Sequence, residues 1–173
     1  MDKLIKINMD MGLLEYEMYQ DIPEVEIGSE NPLYGKNYDD FQQYLNQCIE
    51  EETNENINFY NTTTNRYIYY DNTYPIGEVG IRTSLNDFWI NRGSQIFYKI
   101  RLSERGKGYG QRMMKLVLEE CKRWGFKKIR INCNDLNYPS KKLIINNGGV
   151  IDESKKSYKT NEGTSSSYII NLN

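Results

Sequence analysis

The sequence predicts a mixed α/β domain. Three observations carry this reading. QIFYKIRL (95–102) is the strongest strand by residue type, and a glycine-rich turn follows it. The turn opens a helix in which Met113 or Met114, Val117, Cys121 and Trp124 recur on one face until Gly125 stops it. KKIRINC (127–133) then alternates Ile129, Ile131 and Cys133 as a strand does. The strands on either side of the 110–124 helix are expected to be parallel, because a helix crosses between them.

Upstream, GLLEYEMYQ (12–20) reads as a short helix before Pro23, and residues 21–36, with Pro23, Gly28, Pro32 and Gly35, read as a loop. Asn37 can cap a helix whose first turn holds Asp39 and Asp40. Its apolar stripe, Phe41, Tyr44, Leu45, Cys48 and Ile49, has the spacing of a core-facing side. Residues 53–65 are rich in Asn and Thr and read as a loop or irregular strand. RYIYYD (66–71) is a strand, Asp71-Asn72 a turn, and IGEVGIR (76–82) a second strand. Residues 83–94 are a polar loop carrying Phe88-Trp89. Downstream, Asn137 precedes a helix with Pro139 in its first turn and Gly148-Gly149 at its end. Strands are expected near 149–152, 155–159 and 167–171, with Gly163-Thr-Ser-Ser-Ser as a turn or mobile loop before the last.

At 173 residues with no repeat or linker, the chain fits one domain spanning 1–173. It is 38% apolar, enough to fill a core. Mean hydropathy is −0.76 and no long apolar run occurs, so no transmembrane helix or membrane partner is expected. MDKLIKINMD lacks an apolar secretory core, and Cys48, Cys121 and Cys133 show no paired spacing. A reducing cytoplasm fits best, with no disulfide framework and no metal. The chain has no histidine, which excludes Ser-His-Asp and Cys-His catalysis and any His-ligated zinc site. Acid–base work falls to Glu, Asp, Tyr, Cys, Lys or a relayed water. The net charge of −2 hides an asymmetry: residues 1–98 carry −11, residues 99–130 carry +8 and residues 131–173 carry +1. A basic segment within an acidic chain points to a local anion site or to a solvated basic helix.

Gly106, Gly108 and Gly110 lie between a strand and a helix. Glycine admits positive φ and leaves backbone N–H groups uncovered, so successive N–H groups and a helix N-terminus can converge on an anion. Arg105, Lys107 and Arg112 add positive charge around the turn. The ligand expected is a pyrophosphate or phosphate ester. The P-loop pattern does not occur, and position 111, where a dinucleotide fingerprint would place its third glycine, is Gln.

Arg105-Gly-Lys-Gly-Tyr-Gly does fit R/Q-x-x-G-x-G/A, and here the chain resembles the acetyl-coenzyme A motif of the GNAT N-acetyltransferase superfamily. IRLSERGKGYG (100–110), LVLEECKRWG (116–125), IRINC (129–133), Asn137 with Ser140, and NNGG (146–149) follow that family's order. IGEVGIRTSLN (76–86) resembles the corresponding stretch in a bacterial subfamily of predicted acetyltransferases. The resemblance is strong over about 75–153. It implies a central, mostly antiparallel sheet with one parallel splayed strand pair, flanked by helices. It also implies acetyl-coenzyme A as co-substrate. Backbone groups around Ile100 and Leu102 would pair with the pantetheine arm. The amides of Arg105, Gly106, Lys107, Gly108, Tyr109 and Gly110, with Gln111, would hold the pyrophosphate. Asn137 would contact the coenzyme near the thioester; Ser140 fits that role or a helix-cap role, and Lys141 and Lys142 fit the nucleotide phosphates or ordinary helix surface.

Transfer to an amine needs a proton acceptor and a donor to the leaving thiolate. Many members of the superfamily place an acid tyrosine four residues after the helix serine, a position that is Ile144 here. The subfamily's GGHIGY reads Gly93-Ser94-Gln95-Ile96-Phe97-Tyr98, and its usual Pro is Leu102. The remaining candidates are Glu78 as base and Tyr98 as acid, with Tyr138 a third choice. Strand alternation places Cys133 inside, which argues against an acyl carrier. The acidic first 98 residues suggest a cationic primary amine as acceptor: a polyamine, an aminoglycoside-like amine, or a peptide or protein amine. Two other readings stand beside the transferase: a non-catalytic acyl-coenzyme A-binding or sensing module on the same fold, and a polyanion-binding domain. The loop lacks interleaved aromatic platforms, which argues against a nucleic-acid partner. Monomer and homodimer are both open.

Overall fold

The computed structural model describes residues 1–53, 62–86, 94–155, 157–161 and 163–172. The predicted strand pair is an antiparallel hairpin, β4 (Thr64–Asp71) and β5 (Tyr74–Arg82). It turns at Asn72, whose φ of 56° is a left-handed conformation that Asn adopts more readily than most residues. β5 pairs in turn with β6 (Ile96–Ile100). The first strand, β1 (Asp2–Lys6), joins β4 on its other side, giving the sheet order β1-β4-β5-β6. The sequence reading did not identify β1, because DKLIK is five residues long with too little alternation to register.

Cross-strand register divides this sheet into two faces. Val79 stands opposite Tyr98 and Ile81 opposite Ile96, and these side chains join the core under α3 (Tyr109–Arg123) with Met113, Val117 and Ile131. Ile68 stands opposite Glu78, and Glu78 opposite Lys99. That face carries the second core, where Ile68 and Tyr70 meet Met18 of α1 (Leu13–Gln20) and Phe41 and Leu45 of α2 (Tyr38–Glu50). α2 starts as expected. The Asn37 side chain accepts from Asp40 N at 2.9 Å, and the Asp40 carboxylate accepts from Asn37 N at 3.1 Å.

β7 (Lys128–Asn134) pairs antiparallel with β10 (Gly163–Asn171), which also holds β8 (Val150–Ile151) and β9 (Tyr158–Thr160). The Gly163–Ser167 stretch, expected to be a turn or loop, is the first half of β10. Ser165 pairs with Asn134 and Ser167 with Asn132. Ladder bonds use only the backbone, and the partner strand overrides the low strand propensity of serine. The loop expected over 21–36 likewise contains a small hairpin, β2 (Val25–Glu26) with β3 (Ser29–Glu30). Trp124, expected on the core face of α3, is its C-cap and stays 44% exposed. Phe88-Trp89 and most of the Asn/Thr-rich segment lie outside the described residues.

The two sheets meet where β6 and β7 diverge. Gln95 N donates to Arg130 O at 2.8 Å, and Asn132 N donates to Ser94 Oγ at 2.7 Å. The strands then advance together, with Gln95 beside Arg130 and Tyr98 near Cys133, but no further backbone bond joins them among the described residues. This is the parallel splayed pair that the family resemblance implies. No helix among the described residues is long and apolar enough to cross a membrane.

The β5–β6 contact leaves no room for a side chain at Gly77, where a Cβ would sit 2.2 Å from Lys99 O. Gly77→Ala is therefore expected to destabilise the protein by about 3 kcal/mol or more, since the obstacle is backbone and cannot rotate away. Urea denaturation measures this, and a loss below about 1 kcal/mol would show that the strands shift apart freely.

Candidate active site

The turn between β6 and α3 has an open backbone. Gly106 (φ 75°) and Gly108 (φ 84°) are left-handed, and a Cβ at either would meet nothing within 4 Å. The consequence is a run of five N–H groups, Gly106 through Gly110, that make no hydrogen bond within the protein. Together with the N-terminus of α3 they are a set of donors of the kind that can take up an anion. Gly110 has ordinary backbone geometry; its Cβ would rest against Leu143 at 3.6 Å, so its contribution is the exposed amide.

The side chains around this turn are already engaged. Arg105 pairs with Glu26 of the β2–β3 hairpin and donates through Nε to Ile100 O at 2.9 Å. Arg112 holds Asp2 of β1 at 2.8 Å, and Lys107 holds Glu104 at 3.0 Å. Gln111 Oε1 accepts from Asn147 Nδ2 at 2.8 Å, and the Tyr109 hydroxyl donates to Asp71 at 3.1 Å. Each of Arg101, Arg105, Arg112, Arg123 and Arg130 has a carboxylate partner. The +8 segment thus meets the acidic N-terminal part through Asp2, Asp21 and Glu26, which gives the charge asymmetry an internal use.

Beside the turn, the splay of β6 from β7 opens a cleft of about 360 Å³. Arg82 N donates to Gln95 O and Arg101 N to Ile76 O, so the strand register turns the backbone groups of Tyr98 and Ile100 away from β5, toward this cleft. Leu102 lies beyond the strand end, and its N–H donates to Asp21 O at 2.8 Å. Asn137 lines the cleft but both ends of its side chain are used: Oδ1 caps α4 (Tyr138–Asn146) by accepting from Ser140 N at 3.2 Å, and Nδ2 donates to Ile27 O at 3.0 Å. Tyr98 and Ser140 meet at the cleft wall with their hydroxyl oxygens 2.7 Å apart. Burial pushes the Tyr98 hydroxyl up to about 12, with Ser140 pulling the other way, so it is protonated at neutral pH.

The family model described as the acetyltransferase (GNAT) family matches residues 31–144. The chain belongs to the GNAT acetyltransferase family. Solved structures share the fold across nearly the whole length. An aminoglycoside acetyltransferase, AAC(6')-Ib, in complex with coenzyme A is 19% identical with a TM-score of 0.69, covering 99% of this chain and 95% of that one. The spermidine/spermine N-acetyltransferase SpeG from Vibrio cholerae is 16% identical with a TM-score of 0.65, covering 99% and 92%. The N-acetyltransferase PseH from Campylobacter jejuni, in complex with acetyl coenzyme A, is 12% identical with a TM-score of 0.61, covering 100% of both chains. No curated protein matches the chain.

Within this GNAT fold, the two sequence-derived catalytic candidates stand on opposite faces of the sheet. Tyr98 faces α3 and α4, whereas Glu78 faces α1 and α2. Glu78 is fully buried and outside the cleft lining. Its Oε1 accepts from the Tyr44 hydroxyl at 2.8 Å and from Arg66 at 3.0 Å, and Lys99 Nζ stands 3.8 Å from Oε2. Burial alone would raise this carboxyl, but Lys99, Arg66 and the Tyr44 hydroxyl outweigh it and hold the group below its ordinary 4.5. Tyr138 is 68% exposed and does not line the cleft. Cys133 is buried, as alternation predicts, and burial raises its thiol above the ordinary value. Ile144, at the position of the family's acid tyrosine, lies in the core.

The structure adds residues that sequence reasoning did not select. Lys99 and Phe97 line the cleft on the Glu78 side, and the Phe97 ring lies over Gly80, where a Cβ would come within 2.0 Å of it. Arg66 and Arg82 each stand 4.8 Å from that ring's centre. Strand alternation was a usable signal for Lys99, because pairing β5 with β6 places it beside Glu78.

Glu78→Ala is expected to cost about 3 kcal/mol of stability, because it leaves the half-buried Lys99 without its anion and Arg66 with Glu51 alone. A depressed carboxyl contributes stability that is complete above the unfolded carboxylate range and lost as pH falls through the folded value. The wild type should therefore lose stability below about pH 4.5 in part through this group, and Glu78→Gln should show a shallower acid limb in urea melts across pH. An unchanged acid limb would remove Glu78 from that balance.

Proposed function

We propose that the protein transfers an acetyl group from acetyl-coenzyme A to a primary amine by direct attack. The observation that carries this is the run of five uncommitted N–H groups at Gly106–Gly110 beside the splayed cleft. When bound, acetyl-coenzyme A supplies an acyl group activated by a sulfur leaving group. The amides of Gly106 to Gly110 hold its pyrophosphate. The cleft-facing backbone of Tyr98 and Ile100 is the edge for the pantetheine amides; the Ile100 carbonyl is already capped by Arg105, which leaves Tyr98 and the Ile100 N–H as the readier partners. Asn137 and Ser140 shape the cleft from the N-terminus of α4.

The reaction forms a C–N bond and breaks a C–S bond. The attacking amine gives up one proton, and the departing sulfur gains one. Tyr98 is the proton donor to sulfur: its hydroxyl is in the cleft, protonated at neutral pH, and linked to Ser140, through which it can be reprotonated. It serves the task for which many members of the family use a helix tyrosine, delivered from β6 instead of α4. The amine proton passes to water, since Glu78 is buried, ion-paired and not part of the cleft lining. Nothing in this scheme requires nucleic acid, membrane or metal.

The test is acetyl-coenzyme A binding by calorimetry, followed by thiol release with a panel of amines. Micromolar-range binding with turnover supports the proposal. Binding without turnover for any amine supports the sensing module, which the core-facing Ile144 favours. No binding by folded protein overturns both.

A further inference from the structure

The lining on the Glu78 side of the cleft carries a chemistry opposite to that suggested by the acidic N-terminal sequence. Among the described residues it contains two cations, Lys99 and Arg82, and no carboxylate. Acidic residues of the N-terminal part that stand near basic side chains are engaged there, away from the cleft lining: Asp2 with Arg112, Asp21 with Arg101, Glu26 with Arg105, and Glu51 and Glu78 with Arg66. Burial lowers Arg82 to about 10, with neighbouring Arg66 adding to the shift, and this leaves it charged at neutral pH. Lys99 Nζ is 3.8 Å from Glu78, beyond hydrogen-bond distance, so the ion pair leaves its N–H donors available.

The opposite wall adds an independent observation. Asn134 is 6% exposed and lines the cleft. Its Oδ1 accepts from Leu136 N at 2.9 Å, but its Nδ2 has no hydrogen-bond partner. A buried amide donor left unpaired is unfavourable, and an oxygen of a ligand would relieve it. Lys99 and the Asn134 amide offer donors, and Arg82, whose Nη1 donates to Ser94 O at 2.6 Å, adds positive charge beside them. A polyamine would bring further donors and like charge to this wall; a carboxylate or phosphate would bring acceptors and opposite charge.

We infer that the acceptor is a small amine bearing an anionic group, a carboxylate or a phosphate, held by Lys99 and Arg82 with Asn134 on the facing wall. This rests on the transferase reading above and narrows its substrate class. It replaces the cationic acceptor that the charge of residues 1–98 suggests, because none of those carboxylates lines the cleft among the described residues, whereas Lys99 and Arg82 do.

The test compares kcat/KM for L-glutamate and glucosamine 6-phosphate with that for spermidine and kanamycin, with acetyl-coenzyme A binding measured in parallel. An anionic amine should exceed both cationic ones by at least about tenfold, and the glutamate and sugar phosphate arms separate carboxylate from phosphate recognition. Lys99→Gln should lower kcat/KM for the preferred acceptor by about tenfold or more, through KM, with coenzyme affinity within about twofold, while Lys99→Arg should keep most of it. Spermidine or kanamycin as the better acceptor overturns the inference alone. Equal losses for both acceptor classes in Lys99→Gln also overturn it, since that is the mark of a structural role. Coenzyme binding without acetylation of any amine overturns the transferase reading, and the inference with it.

Discussion

Gly108→Asp is expected to weaken acetyl-coenzyme A binding by about 100-fold or more while the protein stays folded. Two effects add. The position has φ 84°, where a residue with a Cβ is strained by about 1–2 kcal/mol. The new carboxylate also sits among the unpaired N–H groups of Gly106 to Gly110, where it competes for them and repels a pyrophosphate. The surrounding space is open, so no clash forces unfolding. Gly108→Ala separates the two effects, since it has the strain without the charge; its loss should be about tenfold. Calorimetry measures both, with circular dichroism confirming the fold. Wild-type affinity in the aspartate variant would remove the loop from the coenzyme site.

Tyr98→Phe is expected to lower kcat by about 100-fold, in the range typical of a lost general acid, with coenzyme affinity changed little. The phenyl ring preserves the packing against Val79 and Ile81 while the hydroxyl that meets Ser140 is removed. Because burial holds Tyr98 near 12, kcat in the wild type should show no limb from this group below about pH 10. Ser140→Ala tests the pair from the other side. It leaves the Tyr98 hydroxyl in place without its relay, so kcat should fall less, by about tenfold. A Tyr98→Phe enzyme with full kcat would assign the proton to water and leave Tyr98 as a cleft wall.

The open glycine turn was legible because its conformation is local. Positive φ at Gly106 and Gly108 and uncovered amides depend on a few consecutive residues, so spacing alone reports them. The same holds for the Asn37 cap, the Asp71-Asn72 turn and the buried face of α3, where Met113, Met114, Val117 and Cys121 recur with the helical period. Periodicity was misleading where pairing decides the conformation. The serines of 165–167 form a strand because β7 offers them a ladder, and β1 forms because β4 has a free edge.

The catalytic candidates show the other limit. Glu78 and Tyr98 were both read from strands beside the motif, and both stand on those strands. Only the register, Glu78 against Lys99 and Val79 against Tyr98, put them on opposite faces and left Tyr98 alone in the cleft. Charge behaves the same way. The sequence shows acid in the first half and base in the middle, and the fold joins Asp2, Asp21 and Glu26 to Arg112, Arg101 and Arg105 across 79 to 110 residues. By itself the sequence determined the family, the α/β order and the open glycine turn before α3, because these reside in contiguous residues. The tertiary structure alone decided which carboxylates are held in ion pairs, which candidate hydroxyl reaches the cleft and what charge lines it, because those depend on groups brought together from distant parts of the chain.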